Sequence, residues 1–336
     1  MPLARHAGRT SASRLECPPV RGFVGNTDHE WFTFLRARQP LDEVNFWQPS
    51  GGDAFRALDP GEPFFFRLKK PHYAIAGFGL FARHEVVTAK LAWDAFGERN
   101  GAPDFATMCA RIEKYRQQAP DPVRSYKVGC IMISQPVFFD EKDWVIEPAG
   151  FSRNIVRGAG LDVGAGEGRR ILEACLDRVR AHGVPFAAEE QASWAAIAEG
   201  QRYGAAQLIR PRLGQGTFRV AITQAYRGAC AVSGEHSLPV LDVAHIQGFA
   251  QGGPHDTRNG LLLRTDIHRL FDRGYVTVTP EFNFEVSPRL QEEFENGKTY
   301  YALQGHVIHL PARAVDRPDP ALLRWHNEHV FEKVVA

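Results

Sequence analysis

The sequence predicts an α+β protein of two unlike domains: a small mixed β-barrel with helices on its rim, then a tight strand–loop–strand–helix unit. Three observations predict it. At 336 residues the chain is long enough for two domains at about 150 residues each. Residues 23–146 are rich in short apolar runs bounded by Gly and Pro. Residues 230–278 gather His, Asn and Asp at the ends of short apolar segments.

The first 22 residues carry Arg5, Arg9, Arg14 and Arg21 against one acid, Glu16, and no continuous apolar run. They read as a flexible tail rather than a secretory leader. In 23–146, Phe64–Leu68 follows the turn Pro60-Gly61-Glu62-Pro63, Ala74–Phe81 alternates large with small residues, and Val128–Ile133 is a buried-strand run. Helices are expected at Asp28–Arg38, Thr88–Phe96 and Asp104–Gln118. Residues 147–168 are glycine-rich and read as a linker, and Arg169–His182 shows a helical stripe stopped by Gly183 and Pro185. Gly164-Ala165-Gly166-Glu167-Gly168 lacks the Lys-Ser/Thr of a phosphate loop, and no strand of a βαβ unit is expected before it. The expected organisation is therefore 1–22 tail, 23–146 first domain, 147–200 linker and helix, and 201–336 second domain.

Composition narrows the function classes. Charged residues make up 24% and nearly cancel, leaving +1, so any nucleic-acid surface must be a local patch. Such a patch is expected between Gln201 and Cys230, where Arg202, Arg210, Arg212, Arg219 and Arg227 stand with no acid, and the fork geometry of Arg suits phosphate. Arg269 joins them as a DNA-contact candidate. No apolar stretch has the length of a membrane span. Cys17, Cys109, Cys130, Cys175 and Cys230 are widely spaced with no C-x-x-C pair, which excludes a disulfide framework and predicts reduced cysteines in a cytoplasmic protein.

In the second domain, Leu238–Ile246 reads as a strand with His245 near its end. A loop follows with Gly252-Gly253, then Asn259-Gly260 opens a short strand, Leu261–Arg264. Thr265 is an N-cap candidate for a helix beginning at Asp266, on which His268 and Asp272 are i and i+4 and share a face. A strand is expected again at Tyr275–Thr279. A His on the strand and a His/Asp pair on the helix can clamp a divalent metal between the two elements.

These residues resemble the HNH nuclease family in its ββα-metal form. His245, Asn259 and His268 follow one another with gaps of 14 and 9 residues. The phrases PVLDVAHI and NGLLLRTDIHRLFDRGYVTV are similar to a large bacterial branch found in restriction systems. The likeness runs from about Tyr203, through RPRLGQGTFR, to WHNEHVF near the C-terminus. It implies that His245 is the general base, that Asn259 orients the catalytic loop, and that His268 ligates one divalent metal ion (Mg²⁺, Mn²⁺, Ni²⁺ or Zn²⁺). Many relatives carry a metal ligand just before the base, where this chain has Ala244. Asp242 or Asp272 is then the candidate to complete the shell.

In the N-terminal half, VNFWQPSGG sets two aromatics at a Gly/Pro turn, and PGEPFFFRL followed by AIAGFGLF is similar to the PUA-like superfamily, which includes the EVE and YTH modified-base readers. The resemblance implies an aromatic cage for a flipped base, with Trp31, Phe46 and Trp47 as cage candidates and Asn26, Asp28 or Asn45 reading its edge. The joint expectation is a metal-dependent endonuclease acting on double-stranded DNA, with a homodimer as a candidate assembly, whose N-terminal half reads the DNA, a modified cytosine included. The alternatives are a reader whose nuclease unit has lost activity through Ala244, and an RNA-directed nuclease.

Overall fold

The computed structural model describes residues 21–51, 54–116, 120–182 and 213–332. Along the chain run β1 (Arg21–Thr27), α1 (His29–Arg36), β2 (Glu43–Gln48), β3 (Pro63–Leu68), β4 (Ala74–Thr88), α2 (Ala89–Phe96), α3 (Phe105–Arg116), β5 (Lys127–Phe138), β6 (Val145–Ile146), β7 (Gly158–Asp162) and α4 (Gly166–His182). Then follow α5 (Gln215–Ala225), β8 (Leu241–His245), β9 (Gly260–Arg264), α6 (Thr265–Asp272), β10 (Val276–Val278) and β11 (Phe284–Val286), with further short helices and a last one, Pro320–His329.

The first seven strands form one mixed sheet in the order β2-β5-β4-β3-β1-β7, with β6 beside β4. Only β1 and β3 are parallel, with Phe23 opposite Phe64. The barrel expected from the sequence is not found: the sheet is an open path from β2 to β7 with no hydrogen-bonded closure among the described residues. The strands outrun their expected ends, β4 reaching Thr88 and β5 reaching Phe138.

Each face of the sheet has its own core. Alternation along β3 sends Phe64 and Phe66 to one face, against Trp31, Phe32 and Leu35 of α1, and Phe65 to the other. There Phe65, Val24, Ile75 and Phe78 meet Ile171, Leu172, Cys175 and Leu176 of α4. Each of these side chains, fully buried, contributes about 1.5–3 kcal/mol of transfer free energy. A third cluster joins α2 and α3 to β5 and takes in Val220 of α5.

Two expectations for 147–168 are corrected. Residues 158–162, read as linker, form β7, which pairs antiparallel with β1 (Phe23 opposite Gly160). A strand does therefore precede Gly164–Gly168, although its antiparallel partner rules out a βαβ unit. Glycine content hid this strand, because Gly158 and Gly160 leave no side-chain alternation to read.

The second half is built on a core shared by α5, β8, β9, α6 and β10. β8 and β9 pair antiparallel with His245 opposite Gly260, and α6 follows β9 directly. β8 is shorter than expected: Pro239 lies in a 3-10 turn, Leu238–Val240, since proline fixes φ and lacks the ladder N–H. Thr265 does not cap α6, which starts at Thr265 itself with Arg264 in the cap position, and its hydroxyl instead donates to the Val240 carbonyl at 3.0 Å. Among the described residues the free cysteines are Cys109, Cys130, Cys175 and Cys230, all buried, and no helix is long and apolar enough to cross a membrane.

Candidate nuclease centre and aromatic cavity

His245 ends β8 half-buried, its ring stacked on Phe218 of α5 at 4.2 Å between centroids and 11° between planes. Phe249 meets it edge-on at 5.8 Å. Burial, then the neighbouring His255 and His268, hold its imidazole below the ordinary value. A general base must be neutral, so a lowered pKa keeps it available at lower pH. The acidic limb of a cleavage rate–pH profile is therefore expected below about pH 6.5, the unperturbed histidine value. A limb at or above neutrality would remove His245 from the role.

Asn259 is fully buried. Its Oδ1 accepts from Gln247 N at 2.9 Å, while Nδ2 donates to the carbonyls of Gln247 (2.9 Å) and Pro254 (3.0 Å). Three of its amide's hydrogen-bonding positions thus close the loop that follows His245. A Cβ at Gly253 would lie 1.9 Å from the Gln247 carbonyl oxygen and 2.9 Å from Asn259 Nδ2, so this turn admits only glycine.

His268 lies between two carboxylates. Asp242 Oδ2 is 4.0 Å from its Nδ1, and Asp272 Oδ2 is 3.3 Å from its Nε2. The carboxylates flank opposite ring nitrogens, so a cation bound through one nitrogen has only one of them beside it. Asp242 also faces Arg219 Nη1 at 3.7 Å. Ala244 is sealed in the core, whereas the Asp242 carboxylate reaches out to Arg219 and His268. No group of three or more His, Cys, Asp or Glu side chains among the described residues is arranged as a metal cluster. Asp266 is held by Arg264 through two 2.7 Å bonds and by the Tyr300 hydroxyl at 3.0 Å, and the Arg264 bonds hold its carboxyl below the usual range.

The arginine patch is only partly placed. Arg202, Arg210 and Arg212 lie outside the described residues. Arg219 faces the centre beside Asp242, and Arg227 and Arg269 are exposed.

A cavity of about 640 Å³ lies in the N-terminal half. Trp31, Phe46, Trp47 and Asp28 all line it, together with Asn26 and Tyr115. The candidates differ in how free they are. Trp31 is 4% exposed and packs against Phe46 and Phe66 at 5.5 Å, so it is a core ring with one edge on the cavity. Trp47 is half-buried and fixed by a 2.9 Å bond from Nε1 to the Asn100 carbonyl. Asp28 caps α1, accepting from Glu30 N (2.9 Å) and Trp31 N (3.2 Å), and accepts the Tyr115 hydroxyl as well. Burial pushes its carboxyl up, but these hydrogen bonds and Arg111 outweigh that and hold it below the ordinary value. Asn45 is corrected: it does not line the cavity but is buried behind it, donating to Asn100 Oδ1 at 2.8 Å and Cys130 Sγ at 3.3 Å.

Sequence reasoning missed Phe218, the ring against His245, and Tyr115, Arg111 and Arg157 in the cavity. No local pattern marks them. Tyr115 meets Asp28 across 87 positions, and Phe218 precedes His245 by a helix, a turn and a strand.

No curated protein matches the chain. Among solved structures, a "Modification dependent TagI restriction endonuclease" is similar at 12% identity, covering 86% of this chain and 75% of that one, with a TM-score of 0.27. Residues 230–279, the segment that holds His245, Asn259, His268 and Asp272, match the family model of the HNH endonucleases.

Proposed function

We propose that the protein is a metal-dependent DNA endonuclease in which His245 activates water for attack on a phosphodiester. One observation carries the reading: within the segment that matches the HNH endonucleases, His245 sits on β8 beside a His268–carboxylate pair on α6 and β8. A water proton passes to the neutral imidazole of His245, which the Phe218 stack orients. The Asn259 bonds hold the loop after His245 in one conformation, so the imidazole keeps its aim. The donor set fits a divalent cation: His268 offers an imidazole nitrogen, and Asp242 or Asp272 a carboxylate oxygen. When bound, such an ion neutralises phosphate charge and stabilises the leaving oxygen. Arg219, with the exposed Arg227 and Arg269, would contact phosphates without reading sequence.

The deciding experiment is plasmid nicking with Mg²⁺, Mn²⁺ or Ni²⁺, run in parallel on unmodified, 5-methylcytosine and 5-hydroxymethylcytosine DNA. Absence of cleavage with every metal and substrate overturns the nuclease reading. Metal titration by calorimetry separates the ligands. His268→Ala is expected to weaken binding at least about tenfold, and of Asp242→Ala and Asp272→Ala only one should follow it. Binding unchanged in His268→Ala would rule out this site.

The cavity supports a reading in which the N-terminal half takes up a flipped base. Trp47 offers a half-buried ring held in place by its bond to Asn100, and Lys69, Arg111 and Arg116 place positive charge on the walls. Trp47→Ala is expected to cost about 1–3 kcal/mol of DNA affinity through lost stacking. 2-Aminopurine placed beside the target base reports flipping as a rise in fluorescence. Selective binding with no such rise would replace flipping by groove readout.

A further inference from the structure

The two halves meet at the start of α5. Glu43 lies on β2, in the N-terminal sheet, and is fully buried. One of its oxygens accepts from Gly216 N at 2.6 Å. The other accepts from Thr217 N at 3.0 Å and Thr217 Oγ1 at 2.5 Å. The helix has no side-chain cap of its own, Gly214 standing in that position. First-turn N–H groups that have no partner within a helix are thus satisfied here by a carboxylate 173 positions away, whose charge also suits the positive end of the helix dipole. The approach leaves no room for side chains at the helix start: a Cβ at Gly214 would come within 2.3 Å of Glu43 Cδ, and one at Gly216 within 2.9 Å of Glu43 Oε1. Arg99 Nη1, 3.0 Å from Glu43 Oε1, partners the charge. The next residue along the helix, Phe218, is the ring on which His245 lies, and Arg219 after it faces Asp242.

We propose that Glu43 is a positioning residue for the nuclease centre: a carboxylate of the N-terminal sheet seats α5, and α5 holds His245 through Phe218. This rests on the reading of His245 as the base. Glu43 touches no reacting atom. Its removal strands two buried N–H groups and frees the helix start to shift. A misplacement of about 1 Å at a reacting group can lower a rate about 10²-fold.

The test uses the full chain with Glu43→Ala, Glu43→Gln and Thr217→Val, each checked for folding by near-ultraviolet circular dichroism. Cleavage is expected to lose at least about tenfold in kcat in Glu43→Ala, with KM for DNA little changed, and Glu43→Gln, which keeps an acceptor oxygen, should fall between. The second readout does not depend on activity. The His245 ring protons lie over Phe218 and carry its ring-current shift in the proton spectrum. Glu43→Ala should move them toward the ordinary histidine position, while those of His326, stacked on Phe271 at 3.7 Å, stay put. In a Phe218→Leu background, Glu43→Ala should add little to the loss of kcat. If Glu43→Ala does not fold, Thr217→Val, which replaces the hydroxyl with a methyl and leaves the two N–H bonds to Glu43, should give a smaller change in the same direction. An unmoved His245 resonance with unchanged kcat in whichever variant folds overturns the proposal. A wild-type chain that never cleaves, but whose His245 resonance still moves in the variant, would sink the nuclease reading and leave Glu43 as the seat of that side chain.

Discussion

His245→Ala is expected to lower kcat about 10²–10⁴-fold, the usual contribution of a general base, while the dissociation constant for DNA stays close to that of the wild type. The two quantities separate because the imidazole takes its proton in the transition state and adds little to ground-state binding. The fold should survive: the ring is half-buried, and losing its stack on Phe218 costs about 0.5–1.5 kcal/mol. The measurement pairs plasmid nicking with a gel-shift titration on the same preparation. Cleavage within a few-fold of wild type would transfer the base role to another group. Equal loss of binding and rate would make His245 a contact residue instead.

Asn259→Ala is the second large effect, and it reaches both stability and rate. The substitution strands Gln247 N, Gln247 O and Pro254 O inside the loop. Each buried group left without a partner costs about 1–3 kcal/mol, so the three together could cost about 3–9 kcal/mol. The bonds are only part-buried and water can reach the loop, so a loss near the low end, about 3 kcal/mol, is expected. Urea unfolding should show the midpoint falling with little change in slope. Because the loop begins at Gln247, two residues after His245, kcat should fall with it at temperatures where the variant remains folded. Asn259→Asp separates the contributions. It keeps the acceptor for Gln247 N but loses both donors and buries a charge, so it should be no better than alanine. A folded Asn259→Ala enzyme with wild-type kcat would make the residue a structural brace only.

The local order of the strand–loop–strand–helix unit was legible because its information is local. The strand, turn, strand and helix that hold His245, Asn259 and His268 follow one another without interruption, so register and helical spacing fix which side chains meet. What the sequence could not show there is the cover from α5, since stacking of Phe218 on His245 depends on a helix packed across the sheet. The N-terminal half was legible in its elements but not in its assembly. The aromatic lip at Phe46 and Trp47 does border the cavity. Asn45, between Glu43 and Trp47 on the same face of β2, looked equally available. It turned inward because its partner, Asn100, arrives from a turn 55 positions later. The parallel pairing of β1 with β3 and the edge strand β7 likewise depend on contacts between distant segments, which hydrophobic alternation does not encode.

The β7–α4 extension decides how this chain can be shortened. A fragment stopped near residue 150, where composition suggests a boundary, would remove β7 and leave one edge of β1 with unpaired N–H and C=O groups. It would also strip α4 from Val24, Phe65, Ile75 and Phe78, uncovering a contiguous apolar surface next to that raw edge. Those are the two ingredients of edge-to-edge self-association. A fragment ending at residue 150 should therefore precipitate or form oligomers on size-exclusion chromatography, whereas one carried through His182 keeps its edge paired and its face covered.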